Sequence, residues 1–209
     1  MAVLVRGLHP LVEALRARGY TVVGPTVRDG AIVLAELESA DALPYGWGVE
    51  TAPGGGCDLR AIAVLDRVLG GVDTRYARRR AATFIVAVAC TEPADTCFCA
   101  SVGCGPGVSD GYDLALTELP DGYVVASGSA QGEALLDELP HEPADVTHVD
   151  AARAAVDAAA ARMGRTLPEA DLHELLAGAV RAPTYAPPPR RRHDEPVPLP
   201  GDEPGRRDR

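Results

Sequence analysis

Apolar and polar positions change rhythm several times along the chain, and each rhythm predicts an element. Leu8, Leu11, Val12 and Leu15 recur at helical spacing around His9-Pro10, and Gly19 stands where such a helix would end. Residues 20–27 then read as a strand. Asp29-Gly30 supplies a tight turn, and residues 31–37 return as a second strand. This helix–hairpin unit is expected to form a first layer. From Glu38 to Gly56 the periodic signal fades. Leu43-Pro44-Tyr45-Gly46-Trp47-Gly48 reads as a loop and Pro53-Gly54-Gly55-Gly56 as a connector. Asp58 to Leu69 reads as a helix with Leu59, Ile62, Leu65 and Leu69 on its inner face. Gly70-Gly71 ends it. The stretch from Asp73 to Arg80, with Arg78, Arg79 and Arg80 in succession, reads as a charged and solvated segment.

Residues 83–89, Thr-Phe-Ile-Val-Ala-Val-Ala, form a nearly continuous apolar run. Such a run predicts a strand buried on both faces, at the centre of a sheet flanked by helices. Residues 112–119 and 123–127 read as two further strands joined by Pro120-Asp121-Gly122. Ala130 to Leu139 and Asp150 to Met163 read as helices. Thr166-Leu167-Pro168-Glu169 has the spacing of a capping box opening a last helix, which carries Leu172, Leu175, Leu176 and Val180 inward. After Arg181 the chain becomes rich in Pro and Arg, with too few apolar side chains to offset the entropy of ordering. The expected fold is α/β: a mixed sheet flanked by helices in a single domain over residues 1–182, followed by a disordered tail over residues 183–209.

Composition adjusts this outline. The chain is 46% apolar but only 4% aromatic, so the core must be built from Val, Leu, Ile and Ala. A net charge of −10 speaks against nucleic-acid binding, which needs a basic footprint, and against attraction to anionic membranes. No run reaches the roughly 18 apolar residues of a membrane span. The opening residues lack the apolar core of a signal peptide. A cytoplasmic protein, with its thiols reduced, is therefore expected.

Cysteine is where chemistry concentrates. Four of the five cysteines, Cys90, Cys97, Cys99 and Cys104, follow directly on the apolar run, where sites gather in open α/β sheets. Cys97-x-Cys99 is neither a zinc knuckle nor a thioredoxin-like pair. Gly103, Gly105 and Gly107 let the backbone fold tightly around a bulky inorganic centre, and Pro93 and Pro106 stiffen the ends of the loop. Cys57, at a helix start, can supply a fourth thiolate where the helix dipole favours negative charge. Such a set suits an iron–sulfur cluster. Small buried cysteines holding no metal, bound zinc and thiol redox chemistry remain open alternatives.

A wider pattern then joins these residues. It runs through Cys57-Asp58-Leu59-Arg60-Ala61-Ile62, Asp66-Arg67-Val68-Leu69 and residues 73–79. It continues through Cys90-Thr91, Cys97-Phe98-Cys99, Gly105-Pro106, residues 111–119 and Gly128-Ser129. In order and spacing these blocks resemble one family of iron–sulfur electron-transfer proteins, the dicluster subunits found in anaerobic sulfite reductases and, as the beta subunit, in sulfhydrogenases. Residues 19–37 and the Leu43 to Trp47 loop are similar to that family's N-terminal part. The resemblance implies a relay protein passing electrons between a flavin-containing partner and a catalytic one. It implies a 4Fe–4S cluster on Cys57, Cys90, Cys97 and Cys99, with Cys104 as a spare. Two departures accompany it. The family's ferredoxin-like region, with its Cys-x-x-Cys-x-x-Cys runs, has no counterpart here. A stretch of several tens of residues that precedes the family's Cys-Asp is replaced by Gly54-Gly55-Gly56. The expectation is a shortened electron-transfer subunit with at most one cluster. A non-redox scaffold or interaction protein is the alternative, and a zinc-stabilised domain the third reading.

Overall fold

The computed structural model describes residues 2–45 and 56–167, with only the backbone described at residues 56 and 57. It begins with a strand that the pattern of apolar positions does not announce, β1 (Ala2–Val5). Four residues are too few to establish a rhythm, yet Val3, Leu4 and Val5 are all buried. Helix α1 (His9–Ala17) follows, with Pro10 in its first turn and Leu11, Val12 and Leu15 inward. Strands β2 (Val23–Arg28) and β3 (Ala31–Glu36) pair antiparallel as a separate two-stranded sheet. Asp29 and Gly30 both take positive φ, 52° and 74°, as the expected turn requires. The hairpin is tied to α1 by a hydrogen bond from Arg16 Nη1 to the Leu37 carbonyl, 3.0 Å.

After a 3-10 turn (Ala40–Ala42) come α2 (Gly56–Leu69) and α3 (Thr74–Ala81). α3 corrects the reading of the arginine-rich stretch as a merely solvated segment. No apolar rhythm announces it. Its signal is Asp73, whose side chain accepts from the backbone N–H of Arg75 and Tyr76 at the helix start. Tyr76 Oη and Arg80 Nε then reach across to Asp66 on α2, at 2.6 and 3.1 Å. The inner face of α2 is also narrower than expected: Leu59 is buried, but Leu65 is 45% exposed.

The remaining strands are β4 (Val86–Val88), β5 (Leu114–Leu119), β6 (Gly122–Ser127) and β7 (Glu142–Pro143), with α4 (Ala130–Leu136) and α5 (Val146–Ala161) between and after them. Among the described residues the main sheet runs β4-β5-β6-β1-β7. β4 pairs parallel with β5, and the other pairs are antiparallel, so the sheet is mixed. The fold class is α/β, as expected.

The place of β4 is not as expected. It is an edge strand, and Val88 is 43% exposed. Its apolar run comes from packing rather than from a central position. Phe84 and Val86 lie against the main core, and the ring of Phe84 tilts onto Tyr20 at 5.8 Å. The centre of the sheet is β6.

Period-two alternation divides the sheet's side chains between two layers. Val3, Val5, Leu114, Leu116 and Val125 face α1 and α4, where Leu11, Leu15, Leu135 and Leu136 meet them. Leu4 and Val124 face the opposite way, onto Ala152 of α5. The Ala-rich sequence of α5 presents Ala152 and Ala159 as buried contacts. The amphipathic helix expected after Thr166, the Trp47 loop and the tail lie outside the described residues.

Candidate functional site

The cysteine stretch is the connection between β4 and β5, spanning residues 89–113. Its neck is closed by backbone bonds. Ala89 N–H donates to the Leu116 carbonyl (2.8 Å), continuing the β4–β5 ladder, and Cys90 N–H donates to the Pro106 carbonyl (2.9 Å). The base is fastened by Asp113. Its carboxylate accepts from Ile85 N–H at 2.7 Å and from Ser129 Oγ at 2.5 Å, and Ser129 in turn caps α4 through Gly132 N–H. Gly132 lies so close to the Asp113 carbonyl that a Cβ there would stand 2.0 Å from it. One carboxylate thus joins the starts of β4, β5 and α4. That joint gives Asp113 and Gly128-Ser129 a structural duty at the base of the loop: Gly128 N–H donates to the Asp113 carbonyl (2.9 Å), and the Ser129 hydroxyl bonds to the Asp113 carboxylate.

Within the loop, Cys97 N–H turns back to the Ala94 carbonyl, and a 3-10 turn (Cys99–Val102) follows. Gly103 and Gly105 take positive φ, 67° and 56°. This lets Cys104 N–H and Gly105 N–H both point at the Cys99 carbonyl, at 3.0 and 3.2 Å. Cys90, Cys97, Cys99 and Cys104 are all half-buried. The Cys90 thiol lies 3.5 Å from the Glu92 carbonyl and the Cys104 thiol 3.9 Å from the Val102 carbonyl.

These four thiols share one loop and are soft donors of the kind that hold iron–sulfur centres. Among the described residues, however, no three His, Cys, Asp or Glu side chains stand close enough together to hold a metal ion. Cys57 belongs to the first turn of α2, where backbone N–H groups lack intrahelical partners. Its side chain lies outside the described residues. In kind the donors fit a thiolate-held centre, whereas the described side chains are not gathered around one.

Sequence pattern gives no sign of the residues that cover this loop. α5 ends at Ala161, and the chain turns onto the cysteines. Arg162 Nη2 donates to the Thr91 carbonyl (2.6 Å), Arg165 N–H to the Cys97 carbonyl (3.2 Å) and Leu167 N–H to Ser101 Oγ (3.2 Å). Met163 Sδ lies 3.7 Å from Cys99 Sγ and accepts from Ala100 N–H at 3.4 Å. A Met remote in sequence gives no periodic signal toward a cysteine.

Charged and ring side chains outside the loop have structural duties or are exposed. Arg80 pairs with Asp66, while Arg78 and Arg79 are exposed. Tyr76, then Arg80, hold the Asp66 carboxyl below the ordinary carboxylate value. His148 completes a capping box with Asp145, and His141 Nδ1 bonds locally to the Leu139 carbonyl.

The chain is similar to Sulfhydrogenase 2 subunit beta of Pyrococcus furiosus, 41% identical over 96 residues. That match covers 45% of this chain and 28% of the relative. No family model and no solved structure matches the chain. No helix among the described residues is long and apolar enough to cross a membrane.

Proposed function

We propose that the chain is an electron-transfer subunit, or the part of one, of an oxidoreductase complex. It holds at most one 4Fe–4S cluster, on Cys57, Cys90, Cys97 and Cys99. The observation that carries this reading is a closed loop of four half-buried thiols in a chain 41% identical over 96 residues to a sulfhydrogenase beta subunit. Such a cluster supplies one-electron transfer when bound. The chain's own part is to deliver three thiolates from the loop and one, Cys57, from the start of α2, where the helix dipole favours its negative charge. Its partners are flavin-containing or catalytic oxidoreductase subunits, met in the cytoplasm.

A second reading, a scaffold or interaction protein that has lost its cluster, is favoured by the absence of any gathered metal-holding group among the described residues. Zinc is the third. Anaerobic purification with iron, zinc and acid-labile sulfide analysis separates them. The proposal expects about four iron and four sulfide per chain, with broad absorbance near roughly 400 nm that bleaches on reduction. Cys97→Ser and Cys99→Ser abolish these signals, and Cys104→Ser keeps them. A colourless, folded protein without iron or sulfide leaves the scaffold, and zinc in place of iron leaves the zinc domain.

A further inference from the structure

We propose that residues 162–167 are a strap that positions the cysteine loop, with Met163 as the residue that orients and shields the Cys99 sulfur. The assignment of Cys99 as a cluster ligand rests on the function proposed above, but the strap is argued from its own contacts.

The strap meets the first half of the loop at points spread over residues 91–101. Arg162 holds Thr91 near the entry, Arg165 holds Cys97 in the middle, and Leu167 holds Ser101 in the 3-10 turn. Between them Met163 lies over the Cys99 sulfur and occupies the Ala100 N–H, the donor beside that sulfur. Thioether and thiol are both soft and polarisable, so they pack closely without a desolvation cost to either. Gly164 sets the approach. A Cβ there would stand 2.2 Å from the Asp95 carbonyl, closer than any side chain tolerates, so only glycine lets the strap lie this near the loop. α5 supports the arrangement from below, because Gly107 of the loop sits against Val156 of that helix. Rotation of the Cys99 side chain is therefore limited on the side where the Met163 sulfur lies.

The test reads thiol reactivity in the full-length, metal-free protein. Chelator-treated chain is alkylated with iodoacetamide under reducing-agent-free, anaerobic conditions, and the rate at each cysteine is followed by peptide mass spectrometry. Thiol reactivity follows exposure as well as pKa. Met163→Ala should raise the rate at Cys99 severalfold while Cys90 and Cys104 stay near their original rates. Met163→Leu, which refills the space, should restore protection. Gly164→Ala should raise the Cys99 rate with the thioether still present, because the strap can no longer close. Far-UV circular dichroism of each variant confirms that the sheet is intact. Unchanged Cys99 reactivity in Met163→Ala overturns the proposal, as does an equal rise at every loop cysteine or a failure of Met163→Leu to rescue. Iron and sulfide content of the untreated protein judges the cluster separately, so either idea can fail while the other stands.

Discussion

Leu114, Leu116 and Leu135 lie at 0–1% exposure where the sheet meets α4, whereas the four loop cysteines are all half-buried. The two regions are continuous in sequence and held by different means. The sheet region is held by volume: many apolar side chains share one compartment, and each is defined by the space it fills. The cysteine loop has almost no apolar interior and is held by directed bonds from backbone groups and from the strap. A volume-filled region tolerates apolar exchanges of similar volume, whereas a bond-held region depends on keeping its donors and acceptors. Stability and candidate chemistry are thereby assigned to separate parts of the chain.

The largest test of that separation is Leu135→Ala. Emptying a fully buried site should cost about 2–5 kcal/mol, read as a drop in the urea midpoint. Cys97→Ser in the metal-free protein should stay within about 0.5 kcal/mol of the parent. Comparable losses from the two substitutions would erase the distinction. Asp113→Ala falls between them. It strips the acceptor from Ile85 N–H and Ser129 Oγ, and should cost about 1–3 kcal/mol. Because Asp113 fastens the base of the loop, the same variant should also speed alkylation of the loop thiols. A stability loss with unchanged thiol rates would show that loop and sheet are less coupled than this joint implies.

The smallest effect concerns pH. The Asp66 carboxyl is held below its ordinary value of 3.8 by Tyr76, then Arg80. A lowered folded-state pKa means stability that is present above the ordinary value and lost as pH falls through the lowered one. The parent should therefore exceed Asp66→Asn in urea midpoint at neutral pH, and the gap should close in acid below 3.8. Asp66 is more than a third exposed, so the gap is small. A gap that persists unchanged into acid would assign it to something other than the carboxylate's charge.

Legibility in the sequence follows the same division. The hairpin is readable because Asp29-Gly30 can adopt the turn and an apolar run, residues 31–35, follows it directly. The β5–β6 pair and the helices after it are readable from period and turn residues. β1 is too short to show a period. α3 has no apolar face, and only its cap at Asp73 betrays it. The run around β4 misleads because an apolar strand looks the same whether another strand or a helix and an aromatic ring cover it. The cysteines are visible as a cluster, and their shared loop can be anticipated. Neither the Asp113 joint nor the Met163 strap can be, because both depend on contacts between residues far apart in sequence.

The parallel pairing of β4 with β5 has a consequence for how the chain can change. Two parallel neighbours cannot be joined by a tight turn; the chain must travel back along the sheet, a task usually given to a helix. Here the cysteine loop makes that return journey. It is at once a candidate site and a topological connector. Lineages or engineers can rewrite its residues, exchange its donors or lose its chemistry altogether. They cannot shorten it to a turn without reversing a strand, so a loop of this length outlasts whatever it was first selected to hold.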